Sequence, residues 1–139
     1  MTNNTTAGYS GTPLIKKLGI IEEMKILLVN QPTGYFELLQ KDIGKQIVKG
    51  NAKPDLVHLF ANSTKQFELE MKKLQSVYKL NPLLIIWVSW YKKTSGIPTD
   101  LTEDTIRQYA LTHGLVDVKV CAVSAIWSGL KLVVPKALR

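Results

Sequence analysis

Cysteine occurs once in this 139-residue chain, histidine twice and arginine only at positions 107 and 139, and the longest near-continuous apolar run, 83–90, is eight residues with a serine inside it. Each scarcity excludes something. A lone Cys121 can form neither an internal disulfide nor a cysteine-based metal site, which fits a reducing compartment. Eight residues are less than half of what a bilayer-spanning helix needs. The opening MTNNTTAGYSG has neither the basic segment nor the apolar core of a secretory leader. A soluble, cytoplasmic protein is therefore expected. GxSxG, HExxH, CxxC and GxxxxGK[ST] are all missing, as is a carboxylate pair at a useful spacing. No metal and no cofactor are expected, and whether the chain is an enzyme stays open.

What is plentiful is lysine. The formal charge is +7, with 18 basic residues against 11 acidic ones. Such a balance attracts phosphate backbones. However, planar bidentate recognition of phosphate or guanine favours arginine, and the lysines run from Lys16 to Lys136 without clustering. A solvated surface is the expectation, with nucleic acid kept as the lesser alternative and no membrane partner.

Along the chain, residues 1–11 are polar and rich in Gly, Ser, Thr and Asn, the composition of a mobile tail. Residues 12–139 are read as a single domain, since one core suits this length. Thr12 is placed to cap a short helix that starts at Pro13 and stops at Gly19. Lys25–Asn30 reads as a buried strand, followed by a helix capped by Thr33, a weak strand at 46–48 and a polar turn. Asp55–Ala61 is a second buried strand. Ser63 with Gln66 forms a capping box for a helix whose Phe67, Met71, Leu74 and Tyr78 make one apolar stripe, and Pro82 stops it. Leu83–Trp90 is the most hydrophobic strand and so the central one. Thr102 caps a further helix ending at His113 and Gly114. Val116, Val118, Val120 and Ala122 alternate with Asp117, Lys119 and Cys121, a half-exposed strand, and after a turn at 124–128 a partner strand returns over 129–134. The pattern predicts an α/β, Rossmann-like three-layer sandwich, with a mainly parallel sheet closed by a C-terminal antiparallel hairpin.

Two resemblances attach to these blocks. The order of a DLV strand, long helix, Lys-Leu-Asn-Pro turn, apolar strand, helix and hairpin resembles the second half of the S-adenosylmethionine-dependent methyltransferase fold. That resemblance implies that Lys25–Asn30 is the first, central strand, with a ligand across the carboxyl ends of the parallel strands. The chain departs from those enzymes where they hold their cofactor. The loop after the first strand is Asn30-Gln31-Pro32-Thr33-Gly34, with one glycine, and Lys49-Gly50-Asn51 stands where an acidic residue would bind the ribose. Methyltransferase activity is not expected. Separately, GYSGTPLIKKLGI, WVSWYKKTSGIPTDLTEDTIR and GLVDVKVCAVSAIWSGLKLV resemble a family of small bacterial proteins known only as a domain of unknown function, which implies no activity.

Candidate binding residues follow from the strand ends. Ser89, Lys92, Lys93, Ser95 and Gly96 leave the central strand at the usual ligand edge of an open α/β sheet, where ammonium groups and hydroxyls suit phosphate or carboxylate. Asn30 and Gly34 belong to the same edge. Asp100 is a helix cap or, with Lys92 or Lys93, a base. Trp127 is a platform for a base or a partner. His58 reads as a satisfied core histidine. The leading expectation is a binding domain for a small anionic ligand or a macromolecular partner. An enzyme of unrecognised type using Asp100 with Lys92 or Lys93, and a protein-interaction module pairing through the C-terminal hairpin, are the alternatives.

Overall fold

The computed structural model describes residues 11–49 and 52–139. The expected tail lies outside the described residues, apart from Gly11. The elements run α1 (Leu14–Leu18), β1 (Ile26–Val29), α2 (Tyr35–Leu39), β2 (Ile47–Val48), β3 (Leu56–Phe60), α3 (Thr64–Leu80), β4 (Ile85–Tyr91), α4 (Glu103–Thr112), β5 (Val116–Ala122) and β6 (Trp127–Val133). They form one six-stranded sheet in the order β2-β1-β3-β4-β6-β5. The first four strands of that order are parallel, and β6 runs antiparallel to both β4 and β5.

The strands buried on both sides are the apolar ones. β3 is buried at every position and β4 at its five inner positions, as parallel strands covered on two faces must be. Alternation then sorts the side chains into two layers. Val57, Leu59, Ile86, Val88, Trp90, Leu130 and Leu132 pack with the inward stripe of α3 (Phe67, Met71, Leu74, Tyr78) and with Ile106 and Ala110 of α4. On the other face Ile26, Leu56, Phe60 and Trp87 pack with Leu14 and Leu18 of α1 and Tyr35 and Leu39 of α2. The three-layer α/β arrangement with a terminal antiparallel hairpin agrees with the sequence pattern.

Local chemistry corrects several boundaries. Pro13, not Thr12, is the N-cap of α1, and no side chain caps that helix, though Gly19 ends it at φ 77°. Gly34 at φ 83° starts α2 in place of Thr33, and Gln40 at φ 58° stops it early. Ser63 and Thr102 cap α3 and α4 as expected, accepting from the backbone N–H groups of Gln66 and Thr105. β6 begins at Trp127, because the Ser124 hydroxyl accepts from the N–H groups of Ile126 and Trp127 and tightens the turn.

A bulge changes β5 most. Asp117 pairs with Leu132 and Lys119 with Lys131, so Val118 is an extra residue. Directly paired residues share a face, and the extra residue reverses the alternation. Asp117 and Val120 therefore lie on the α3/α4 face, while Val116, Lys119 and Cys121 lie on the α1/α2 face. The continuous valine face expected from the sequence does not form.

The chain leaves β1 for β2 on one side and returns to β3 on the other, with α2 and α3 on opposite faces. This is the topological switch point, where ligands of open α/β sheets bind.

Candidate functional site

Beyond the end of β4 the chain makes a single 3₁₀ turn at Lys93–Ser95 and reverses at Gly96, whose φ of 74° suits glycine. The Ser95 hydroxyl donates to the Lys92 carbonyl at 2.6 Å and accepts from the Ile97 N–H at 3.1 Å. The loop is thus a built turn, pinned to the hairpin by the Lys92 N–H donating to the Ile126 carbonyl at 2.8 Å. Between this turn and the start of α4 lies an open cavity of about 740 Å³. Its lining includes Trp90, Lys92, Lys93, Thr94, Gly96 and Thr102.

The charges around that cavity are unequally committed. Glu103 and Asp104 line it, but both carboxylates bind Arg107, which also donates to Asp117 at 3.0 Å. Those hydrogen bonds, to Asp117 first and then to Glu103, hold the guanidinium further in its charged form. Lys92 and Lys93 have no carboxylate within ion-pair distance among the described residues. Two of the hydroxyls lining it are already used. Thr99 donates to the Asn62 carbonyl at 2.8 Å and Thr102 caps α4, while Thr94 lies next in the chain to Lys93 and lines the cavity with Tyr91 and Ser128.

Asp100 does another task. Its carboxylate accepts from the Thr64 N–H at 2.8 Å while the Thr64 hydroxyl donates to the Asp100 carbonyl at 3.2 Å. It therefore caps α3, the neighbouring helix, instead of α4, and it is not among the residues lining the cavity. The geometry does not pair it with Lys92 or Lys93 as a base.

Asn30 and Gly34 sit at the switch point, apart from the lysine turn. Asn30, at φ 58°, donates from Nδ2 to Glu70 Oε2 of α3 at 3.3 Å, a polar tie across the carboxyl end of β1. Gly34 opens α2. Ser89 does not leave the strand at all. It is fully buried within β4, and its hydroxyl is 2.7 Å from Nε2 of His58, whose Nδ1 is 2.7 Å from the Tyr35 hydroxyl. A neutral imidazole carries one N–H, so one of these hydroxyls donates to the ring and the other accepts from it. Burial holds His58 neutral by lowering its pKa to about 3, and raises that of Tyr35. With Ser89 and His58 sealed from solvent, this chain bridges α2, β3 and β4 and offers no exposed nucleophile. A satisfied core histidine agrees with the sequence pattern, and its partners Tyr35 and Ser89 come from tertiary packing. The common face of His58 and Ser89 on adjacent strands was the available signal.

Trp127 lies on the α1/α2 face, opposite Trp90. It stacks on Tyr91 with ring centroids 4.3 Å apart and makes a T-shaped contact with Phe60 at 5.0 Å. Trp90 is core, and Trp127 is half-buried.

Two solved structures share this arrangement of strands and helices. One is a protein in the NADB-Rossmann superfamily from Streptococcus agalactiae, 10% identical, with 94% of this chain and 71% of that one covered at a TM-score of 0.53. The chain has a Rossmann-like fold. The other, an uncharacterized protein from Listeria monocytogenes serotype 4b, is 7% identical over 90% of this chain and 68% of its own, at a TM-score of 0.55. At such identities the Rossmann-like likeness speaks for fold alone. No family model and no curated protein sequence matches the chain. No described helix is long and apolar enough to cross a membrane, and no metal-holding cluster of His, Cys, Asp or Glu occurs among the described residues.

Proposed function

We propose that this Rossmann-like domain binds a small anionic ligand in the cavity between the lysine turn and α4. The supporting observation is the pair Lys92 and Lys93, which border that cavity with no ion-pair partner among the described residues while the carboxylates opposite are occupied by Arg107. Two ammonium groups and the Thr94 hydroxyl suit a phosphate or carboxylate. Buried Trp90 gives the ligand an apolar floor. Binding is the reading, since Asp100 is engaged at α3 and the two carboxylates lining the cavity, Glu103 and Asp104, are held by Arg107.

Thermal denaturation in the presence of inorganic phosphate, nucleotides, sugar phosphates and carboxylates tests this. Binding to the folded state raises the midpoint with ligand excess over the dissociation constant. A shift with one anionic class, lost on changing Lys92 and Lys93 to Ala, is expected. An equal shift in the double variant would remove the site from this turn.

A further inference from the structure

The lysines that look scattered in sequence are partly gathered by the fold. No acidic residue follows Asp117, while Lys119, Lys131, Lys136 and Arg139 do. Lys119 and Lys131 face one another directly across β5 and β6, on the α1/α2 face, and Lys119 Nζ reaches the Lys17 carbonyl of α1 at 3.4 Å. Like charges directly opposite on paired strands destabilise the pair, and neither lysine has a carboxylate within ion-pair distance among the described residues.

We propose that this face of the C-terminal hairpin binds single-stranded nucleic acid, with phosphates on Lys119 and Lys131 and a base on the Trp127/Tyr91 stack. Going down β6 on one face, Trp127, Gly129 and Lys131 succeed one another, so the aromatic and cationic rungs are about 14 Å apart along the strand. The middle rung between them is closed, since Gly129 and Cys121 are both buried. Cys121 pairs with Gly129 there, and a Cβ on Gly129 would come within 3.0 Å of Val123 and 3.3 Å of Trp87. Burial pushes the Cys121 thiol pKa up, against the opposing positive charges of Lys17, Lys119 and Lys92. Both rings of the stack are half-buried, and the T-shaped contact with Phe60 braces Trp127. A basic track beside a braced aromatic pair is the combination that single strands use, phosphates for affinity and rings for stacking. Mobile phosphates would also relieve the repulsion between the two lysines. Tyr91 also borders the proposed ligand cavity, but Lys119, Lys131 and Trp127 do not line it, so the two lysine pairs test the two assignments separately.

The test is fluorescence anisotropy of a labelled 12-nucleotide oligothymidylate at several salt concentrations, with tryptophan emission followed in parallel. The variant Lys119→Gln/Lys131→Gln removes a repulsive pair and so keeps the fold. We expect it to bind at least tenfold more weakly at low salt, with the salt slope reduced by about 1.4, two phosphate contacts at about 0.7 each. The strand should quench tryptophan emission in the unaltered protein, and Lys65→Gln/Lys72→Gln, on exposed positions of α3, should leave affinity unchanged. Equal affinity in the hairpin variant, or equal loss in the α3 variant, would overturn the proposal. So would binding without tryptophan quenching that heparin or anionic vesicles match, since the face would then be a general polyanion surface.

Discussion

The two faces of the sheet solve the same burial problem by different means. On one, a 17-residue and a 10-residue helix lay regular apolar stripes over the strands. Buried side chains there are almost all aliphatic or aromatic, and the Tyr78 hydroxyl donates to the His113 carbonyl at 2.9 Å. On the other, two five-residue helices cover the sheet, too short to define their seats by periodicity. Their positions are fixed by polar contacts instead: Trp87 Nε1 donates to the Leu18 carbonyl of α1 at 2.9 Å, and Tyr35 of α2 meets His58. Buried hydrogen bonds contribute modestly when made and cost heavily when one partner is left. The first face should thus respond to loss of volume, and the second to loss of a partner or of a protonation state.

The largest effect belongs to the apolar face. Phe67 is fully buried under α3 against Tyr109, and Phe67→Ala should lower stability by about 3–5 kcal/mol in chemical denaturation, from lost transfer energy and the cavity left behind. A loss below ~1 kcal/mol would show that α3 is not the principal cover of the sheet.

On the polar face the signature is pH. The folded state binds a proton at His58 only near pH 3, while the unfolded chain binds it near its ordinary value of 6.5. Between those limits the unfolded state holds more protons, so the stability from neutral His58 is complete above about 6.5. It falls by roughly 1.4 kcal/mol per pH unit on acidification towards about 3. Denaturation midpoints from pH 7.5 to 4 should therefore slope downwards, and His58→Phe should flatten that slope while lowering stability at pH 7 by stranding the Tyr35 and Ser89 hydroxyls. An unchanged slope in the variant would mean that His58 is not the group being protonated.

A smaller effect tests the join between the α3 and α4 starts. Asp100→Ala removes the acceptor of the Thr64 N–H and should cost about 1 kcal/mol, the usual worth of such a cap. No loss at all would return Asp100 to the ligand question.

The difference between the faces also explains what could be read from the sequence. The stripe 67-71-74-78 and the capping Ser63 and Thr102 announce their helices, because periodicity and caps are local signals. The unbroken apolar runs announce β3 and β4 equally well. α1 and α2 are blurred at their starts, since Pro13 and Gly34 act through backbone geometry and not through a capping side chain. The β5 bulge was hidden because it is defined only by the partner strand, so Val118 looked like one more member of an alternating series. The candidate residues dispersed for a similar reason. Asn30, Ser89, Asp100 and Trp127 gather at one edge on paper, yet the pleat sends Ser89 inward and Trp127 to the opposite face, and tertiary hydrogen bonds claim Asn30 and Asp100.

The smallest expected stability change is the most useful for function. Lys92 and Lys93 hold no ion pair among the described residues, and Lys92 is tied to the hairpin by its backbone N–H, which alanine retains. Changing both to Ala should move stability by less than about 0.5 kcal/mol, as for surface positions with no structural task. Calorimetry of the double variant without added ligand checks this. A loss of about 2 kcal/mol would mean that the side chains brace the turn, and their effect on anion binding would then report folding. A near-zero loss would separate the two faces by purpose as well as packing, because polar side chains kept at a cavity without stabilising the fold are those free to meet a ligand.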